Sequence, residues 1–133
     1  AALIMGIVVS PICYFCVSRL KYKLGYDDAL DAFGCHCIGG IVGGILTGIF
    51  CVPELSWTDF GGLLYTGDPS LLISQILGIV VTIVFVGLMT LILGLIVKKC
   101  FGGSLALTGY DEAKGMDVAQ HGESAYPAFD GLD

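Results

Sequence analysis

Two stretches of this 133-residue chain, 32–53 and 69–97, contain no Asp, Glu, Lys or Arg, and nothing else in the sequence constrains its fold as strongly. At 1.5 Å of rise per residue, each is long enough to cross a hydrocarbon core of about 30 Å as a helix. A third uncharged run, Ala1 to Val17, opens in mid-segment with no initiator Met and no basic n-region. It reads as a truncated transmembrane helix, not a signal peptide, and the sequence as a fragment. The expected spans are 1–18, 28–52 and 71–97, within a transmembrane region 1–100 that a cytosolic tail, 101–133, follows. Composition agrees: 56% of the residues are hydrophobic and mean hydropathy is +0.88, more apolar surface than a small water-soluble domain could bury. The fold class is all-α and integral to a membrane.

The basic residues give the orientation. Arg19, Lys21 and Lys23 follow the first span, Lys98 and Lys99 follow the third, and Lys114 lies in the tail, while the loop between spans two and three has none. All six therefore lie on one side, which is cytoplasmic. The intervening loop, Pro53 to Pro69, carries Glu54, Asp59 and Asp68 with Trp57 and Tyr65, as suits an outer surface. The net charge of −6 resides in loops and tail, and without basic clusters beyond the membrane edges it provides no nucleic-acid footprint.

Turn and joint signals separate the elements. Gly25 marks a turn before a helix expected to start at Asp27 or Asp28, either of which can cap it. Phe101, Gly102 and Gly103 form an expected flexible joint. The tail beyond is rich in acids and poor in apolar residues, so it is expected to order only where it docks on its own or another subunit.

The second span reads DDALDAFGCHCIGGIVGGILTGIF from Asp27 to Phe50. Its glycines would weaken a helix in water, but in a bilayer small residues four apart let helices approach closely. Gly40, Gly44 and Gly48 make one such row, and Gly39 and Gly43 a second. At about 100° per residue, His36, Gly40, Gly43 and Thr47 share one stripe, which directs the imidazole toward protein and away from lipid. An ionisable group there either lines a pathway for ions or protons or sits neutral, hydrogen-bonded to a neighbouring helix.

Asp27, Asp28 and Asp31 open this span, where negative charge suits a helix N-terminus. They are read as caps, with Asp28 also a candidate for holding neighbouring backbone so that His36 sits at a fixed depth. Cys35 and Cys37 flank His36, but consecutive helical residues diverge and cannot converge on one ion, so no metal site is expected. Cys13 and Cys16 share a face of one helix, and Cys51 and Cys100 lie at opposite membrane edges, so no disulfide framework is expected. No nucleophile, base and orienting residue can be assembled, so neither an enzyme nor a cofactor site is expected.

Asp27, Asp28, Asp31, Phe33 and His36 reproduce in register a D-D-x-x-D-x-F-x-x-H pattern. Gly115, Met116, Asp117, His121, Gly122, Glu123, Ala125 and Tyr126 form a second, independent motif in the tail. On these residues the chain resembles the ammonium transporter (Amt/Mep) family over its whole length, as the last three of about eleven spans plus a cytosolic regulatory tail. The resemblance implies a homotrimer in the plasma membrane, each subunit with a narrow hydrophobic pore lined midway by two histidines. His36 matches the second of these, and the first lies upstream. Phe33, Gly40 and Gly44, with the three aspartates, would support the pore helix. The substrate implied is ammonium, conducted as ammonia, with methylammonium as its analogue.

In the tail, Gly115, Asp117, His121, Gly122, Glu123 and Tyr126 would be regulatory, with Asp117 and His121 the candidates for docking contacts between subunits. A PII-type regulator is a further partner that the resemblance allows. Two departures stand out: Leu105, Ala106 and Leu107 replace a stretch that usually contains Arg, and Ala119 stands where plant members often have a phosphorylatable Thr. Thr108 and Ser124 are then the remaining candidate hydroxyls, or else simply solvated. A Rhesus-type ammonia channel resembles the pore helix but not Gly115 to Tyr126. A membrane ammonium sensor would signal through its tail.

Overall fold

The computed structural model describes residues 1–57 and 59–124, and among these all regular structure is helical. Three helices are long and apolar enough to cross a membrane: α1 (Ala2–Leu24), α2 (Phe33–Phe50) and α4 (Ser70–Cys100). Two short ones, α3 (Leu63–Thr66) and α5 (Gly109–Lys114), lie in the second loop and the tail. Residues divide into two compact units, Ala1–Val86 and Gly87–Asp133.

In the first unit, α1 carries Pro11 within its apolar part, widens into a π turn over Cys16–Leu20, and resumes as α-helix over Lys21–Leu24. It runs past the expected end near residue 18, so Arg19, Lys21 and Lys23 lie on the helix and not in a link. Long basic side chains allow this, because an apolar stem can stay on the helix while the charged head reaches outward, and cations suit a helix C-terminus. Gly25 ends the helix with φ of 66°, the left-handed conformation that a residue without Cβ adopts most cheaply.

α2 begins at Phe33, not at Asp27 or Asp28. The reason is local: the N–H of Asp31 donates to the carbonyl of Asp28 at 3.2 Å, and Asp31 adopts φ of 55°, which interrupts any helix propagating from upstream. Asp28 still caps the helix, from a turn further out. Its Oδ1 accepts from the N–H of Ala32 at 2.9 Å and its Oδ2 from the N–H of Phe33 at 2.8 Å. The first six residues, Phe33–Ile38, form a second π turn before regular α-helix continues over Gly39–Phe50.

After a 3₁₀ turn at Pro53–Leu55, the loop folds back on the end of α2, where the N–H of Gly62 donates to the carbonyl of Cys51 at 2.7 Å. A Cβ at Gly62 would stand 2.5 Å from the backbone of Cys51 and of Ile49, so only glycine fits that return. Asp68 then caps α4, its Oδ1 accepting from the N–H of Ser70 at 3.0 Å and from its hydroxyl at 2.6 Å.

In the second unit, the last turns of α4 end in a bend at Gly102 and Gly103, with φ of 78° and 94°. Thr108 caps α5, accepting from the N–H of Asp111 at 3.3 Å. A π turn, Asp117–His121, completes the described tail.

Cys16 is the one buried hydrophobic side chain among the described residues, at 5% exposure. On α4, Leu77, Val81, Phe85 and Leu91 are each 59% to 64% exposed. A helix that is apolar all round needs lipid or further protein against it, so this is an integral membrane protein.

Candidate functional site

The site is built on α2, whose glycines face two different partners. A Cβ added at Gly34 would stand 2.8 Å from Val17 Cγ2, and one at Gly39 would stand 3.2 Å from Cys13 Sγ, so these two glycines let α1 approach. Gly44 and Gly48 do the same for α4, with distances of 3.1 Å to Ile79 Cδ1 and 2.7 Å to Leu72 Cα. Neither Gly40 nor Gly43 has an atom within 4 Å of its would-be Cβ among the described residues.

Gly40 opens instead onto a cavity of about 460 Å³ between α2 and α4. His36, Cys37, Gly40, Ile41 and Gly44 line it from α2, and Gln75, Gly78, Ile79, Thr82 and Ile83 from α4. Its walls are mainly aliphatic, with the imidazole of His36, the amide of Gln75 and the hydroxyl of Thr82 as the polar groups able to contact a small hydrogen-bonding solute.

The lining departs from the expected stripe. Gly43 and Thr47 do not reach the cavity, and Thr47 Oγ1 donates to the carbonyl of Gly43 at 2.9 Å. His36, Gly40 and Gly44 line it at intervals of four, and Cys37 and Ile41 at the same interval, as one face of an ordinary helix does. Gln75 and Thr82 were missed by sequence reasoning. Their spacing of seven, two helical turns, with Gly78 between them was the available signal.

Upstream of His36, a polar cluster holds the entrance to α2. Lys21 Nζ, from the end of α1, pairs with Asp31 Oδ1 at 2.7 Å and also donates to the carbonyl of Asp28. The Tyr26 ring packs edge-on against Phe33, with centroids 5.3 Å apart and planes at 69°. Desolvation, and next the nearby Asp28 carboxylate, push the Tyr26 phenol above its usual range. Asp27 contributes none of these contacts. At the other end of the loop, the two hydrogen bonds from Ser70 hold the Asp68 carboxyl below the usual carboxylate range.

The tail candidates lie in the second unit. Gly115 ends α5 with φ of 93°, Gly122 ends the π turn with φ of 70°, and the N–H of Glu123 returns to the carbonyl of Asp117 at 3.3 Å. Asp117 and His121 are exposed. Ala125 and Tyr126 lie outside the described residues.

Comparison with known proteins places these features in a family. The profile of the Ammonium Transporter Family matches residues 1–126. The chain is 44% identical over 126 residues to an ammonium transporter of Bacillus subtilis and 41% identical over 126 residues to a putative ammonium transporter of Methanothermobacter thermautotrophicus, each alignment covering 95% of this chain and 30% of the relative. A eukaryotic relative, ammonium transporter 1 of Dictyostelium discoideum, is 37% identical over 92% of this chain and 26% of its own length. The chain thus spans about 30% of the length of the first relatives it matches. With a profile match over nearly its full length and membrane-crossing helices to accompany it, the chain belongs to the ammonium transporter family.

Proposed function

We propose that the protein conducts ammonium across a membrane by passing ammonia through a hydrophobic pore lined by His36 and a partner histidine, of which the α2–α4 cavity is one wall, the proton separated from ammonium being either left on the entry side or relayed by the imidazoles. The observation that carries this reading is a single imidazole opening into a mainly aliphatic cavity within the membrane-crossing helices. Moving a bare ammonium ion into such surroundings would cost on the order of tens of kcal/mol by Born solvation, whereas neutral ammonia costs far less. Potassium has no proton to give up and is rejected. A neutral imidazole can accept a hydrogen bond from ammonia at one nitrogen and donate at the other, which suits a solute that both donates and accepts.

The same reading includes a partner histidine upstream, an eleven-helix subunit with its C-terminus in the cytoplasm, a plasma-membrane homotrimer surrounded by lipid, and a role in nitrogen uptake. The tail residues Gly115, Asp117, His121, Gly122, Glu123 and Tyr126 act as regulators of transport, with a PII-type protein as a further partner. The basic residues on the ends of α1 and α4 support the orientation.

The test is uptake of labelled methylammonium, with current recorded in parallel, by the full-length protein and by His36→Ala in cells lacking their own ammonium transporters. Loss of uptake, or entry of potassium, is expected on substitution. Unchanged transport would make His36 a packing residue. An intact protein that moves nothing while its tail responds to ammonium would be a sensor, and one that passes only neutral gas would function as a Rhesus-type channel does.

A further inference from the structure

We propose that Lys21 is a positioning residue for His36, fixing the rotational setting of the imidazole from the neighbouring helix. Its amino group bridges two points of the turn that precedes α2, the carboxylate of Asp31 at 2.7 Å and the carbonyl of Asp28. Those two residues hold the helix start. The Asp28 carboxylate takes the N–H groups of Ala32 and Phe33, and the Asp31 carbonyl accepts from the N–H of Cys35 at 3.0 Å, one residue before His36. Asp31 is also the one non-glycine residue with positive φ among the described residues, a conformation that needs an outside hold to persist.

The setting matters because the next turn is π. A register change of one residue there would rotate His36 by about 100°, away from the cavity it lines. Lys21 sits where it can prevent this: its side chain is 19% exposed, and α1 is brought against α2 by Gly34 and Gly39. The ion pair thus ties the end of one membrane-crossing helix to the turn that leads into the next.

The inference rests on the reading of His36 as a pathway residue, and the experiment separates the two. Lys21→Gln, Lys21→Arg, Asp31→Asn and the Lys21→Gln/Asp31→Asn double variant are made in the full-length protein. Methylammonium uptake is measured as a function of concentration, normalised to the amount of protein in the membrane, with potassium current alongside. Asn retains the tolerance of Asp for positive φ, so that variant removes only the charge.

The expected result is that each neutral variant loses about tenfold or more of its maximal rate per molecule, the scale of one charge-assisted hydrogen bond, with little change in KM. The double variant is no worse than either single one, and Lys21→Arg restores the rate. Normal rates per molecule in Lys21→Gln and Asp31→Asn, or losses that track only the amount of protein, would overturn the proposal. If His36→Ala is inactive while the Lys21 variants transport normally, only this inference fails. Normal transport by His36→Ala removes its basis as well.

Discussion

Gly34 and Gly48 both bring a neighbouring helix close to α2, yet they should respond differently when the facing side chain is trimmed. At Gly34 the nearest atom to an added Cβ is a side-chain methyl, Val17 Cγ2 at 2.8 Å, and the next two lie at 3.4 and 3.5 Å, ordinary or nearly ordinary contact. At Gly48 the nearest atom is Leu72 Cα at 2.7 Å, which no substitution of Leu72 removes. Overpacking costs about 1–3 kcal/mol, while replacing glycine by alanine in a helix returns roughly 1 kcal/mol, so either single Ala substitution should destabilise by about 0–2 kcal/mol. Adding Val17→Ala to Gly34→Ala should relieve the clash and give a favourable coupling of about 1 kcal/mol, after subtraction of the cost of Val17→Ala alone. Adding Leu72→Ala to Gly48→Ala should give a coupling smaller than about 0.5 kcal/mol. Unfolding of the full-length protein in mixed detergent micelles, titrated with SDS, provides both cycles. Equal couplings at the two positions would refute the distinction between side-chain and backbone contact on which the packing of α2 is argued.

The Asp28 cap should be separable from charge at the same place: Asp28→Ala loses acceptors for two N–H groups and should cost about 0.5–2 kcal/mol by the same titration, with Asp28→Asn recovering part of the loss. Because the Asp68 carboxyl is held below its usual range by Ser70, its capping contribution should be present above the unfolded carboxylate pKa and lost as pH falls through the lower folded value. An NMR titration of Asp68 should show a depressed midpoint that moves up toward the usual range in Ser70→Ala, and an unchanged midpoint would count against the cap.

The three membrane-crossing helices were legible because they depend on long uncharged runs, a property that needs no tertiary knowledge. Gly25 as a turn and Asp28 as a cap were equally readable, since each acts through its own chemistry. What the sequence concealed was phase. Asp28 caps N–H groups four and five residues on, so a cap read as adjacent to the helix put the start of α2 too early. The π turn over Phe33–Ile38 has no compositional signature, so nothing in the sequence announced it. The glycine rows pointed to close packing but not to which helix each residue meets, since that depends on α1 and α4 lying on different faces of α2. Gln75 went unremarked because a polar residue near a span's outer end has a sufficient explanation at the water boundary, and Thr82 because a lone hydroxyl inside a span can bond to its own helix.

A helix with a π turn contains one residue more than its length requires. In α2 that surplus lies between two fixed ends: the Asp28 cap at one, and the contact of Gly48 with Leu72 at the other. Moving that extra residue along the helix, like a fold in a carpet, would turn the residues it crosses while the ends stayed still. His36 lies inside the fold. Such a shift would turn the imidazole without tilting or translating the helix as a whole, and the Lys21–Asp31 pair at the upstream end is what stands against it.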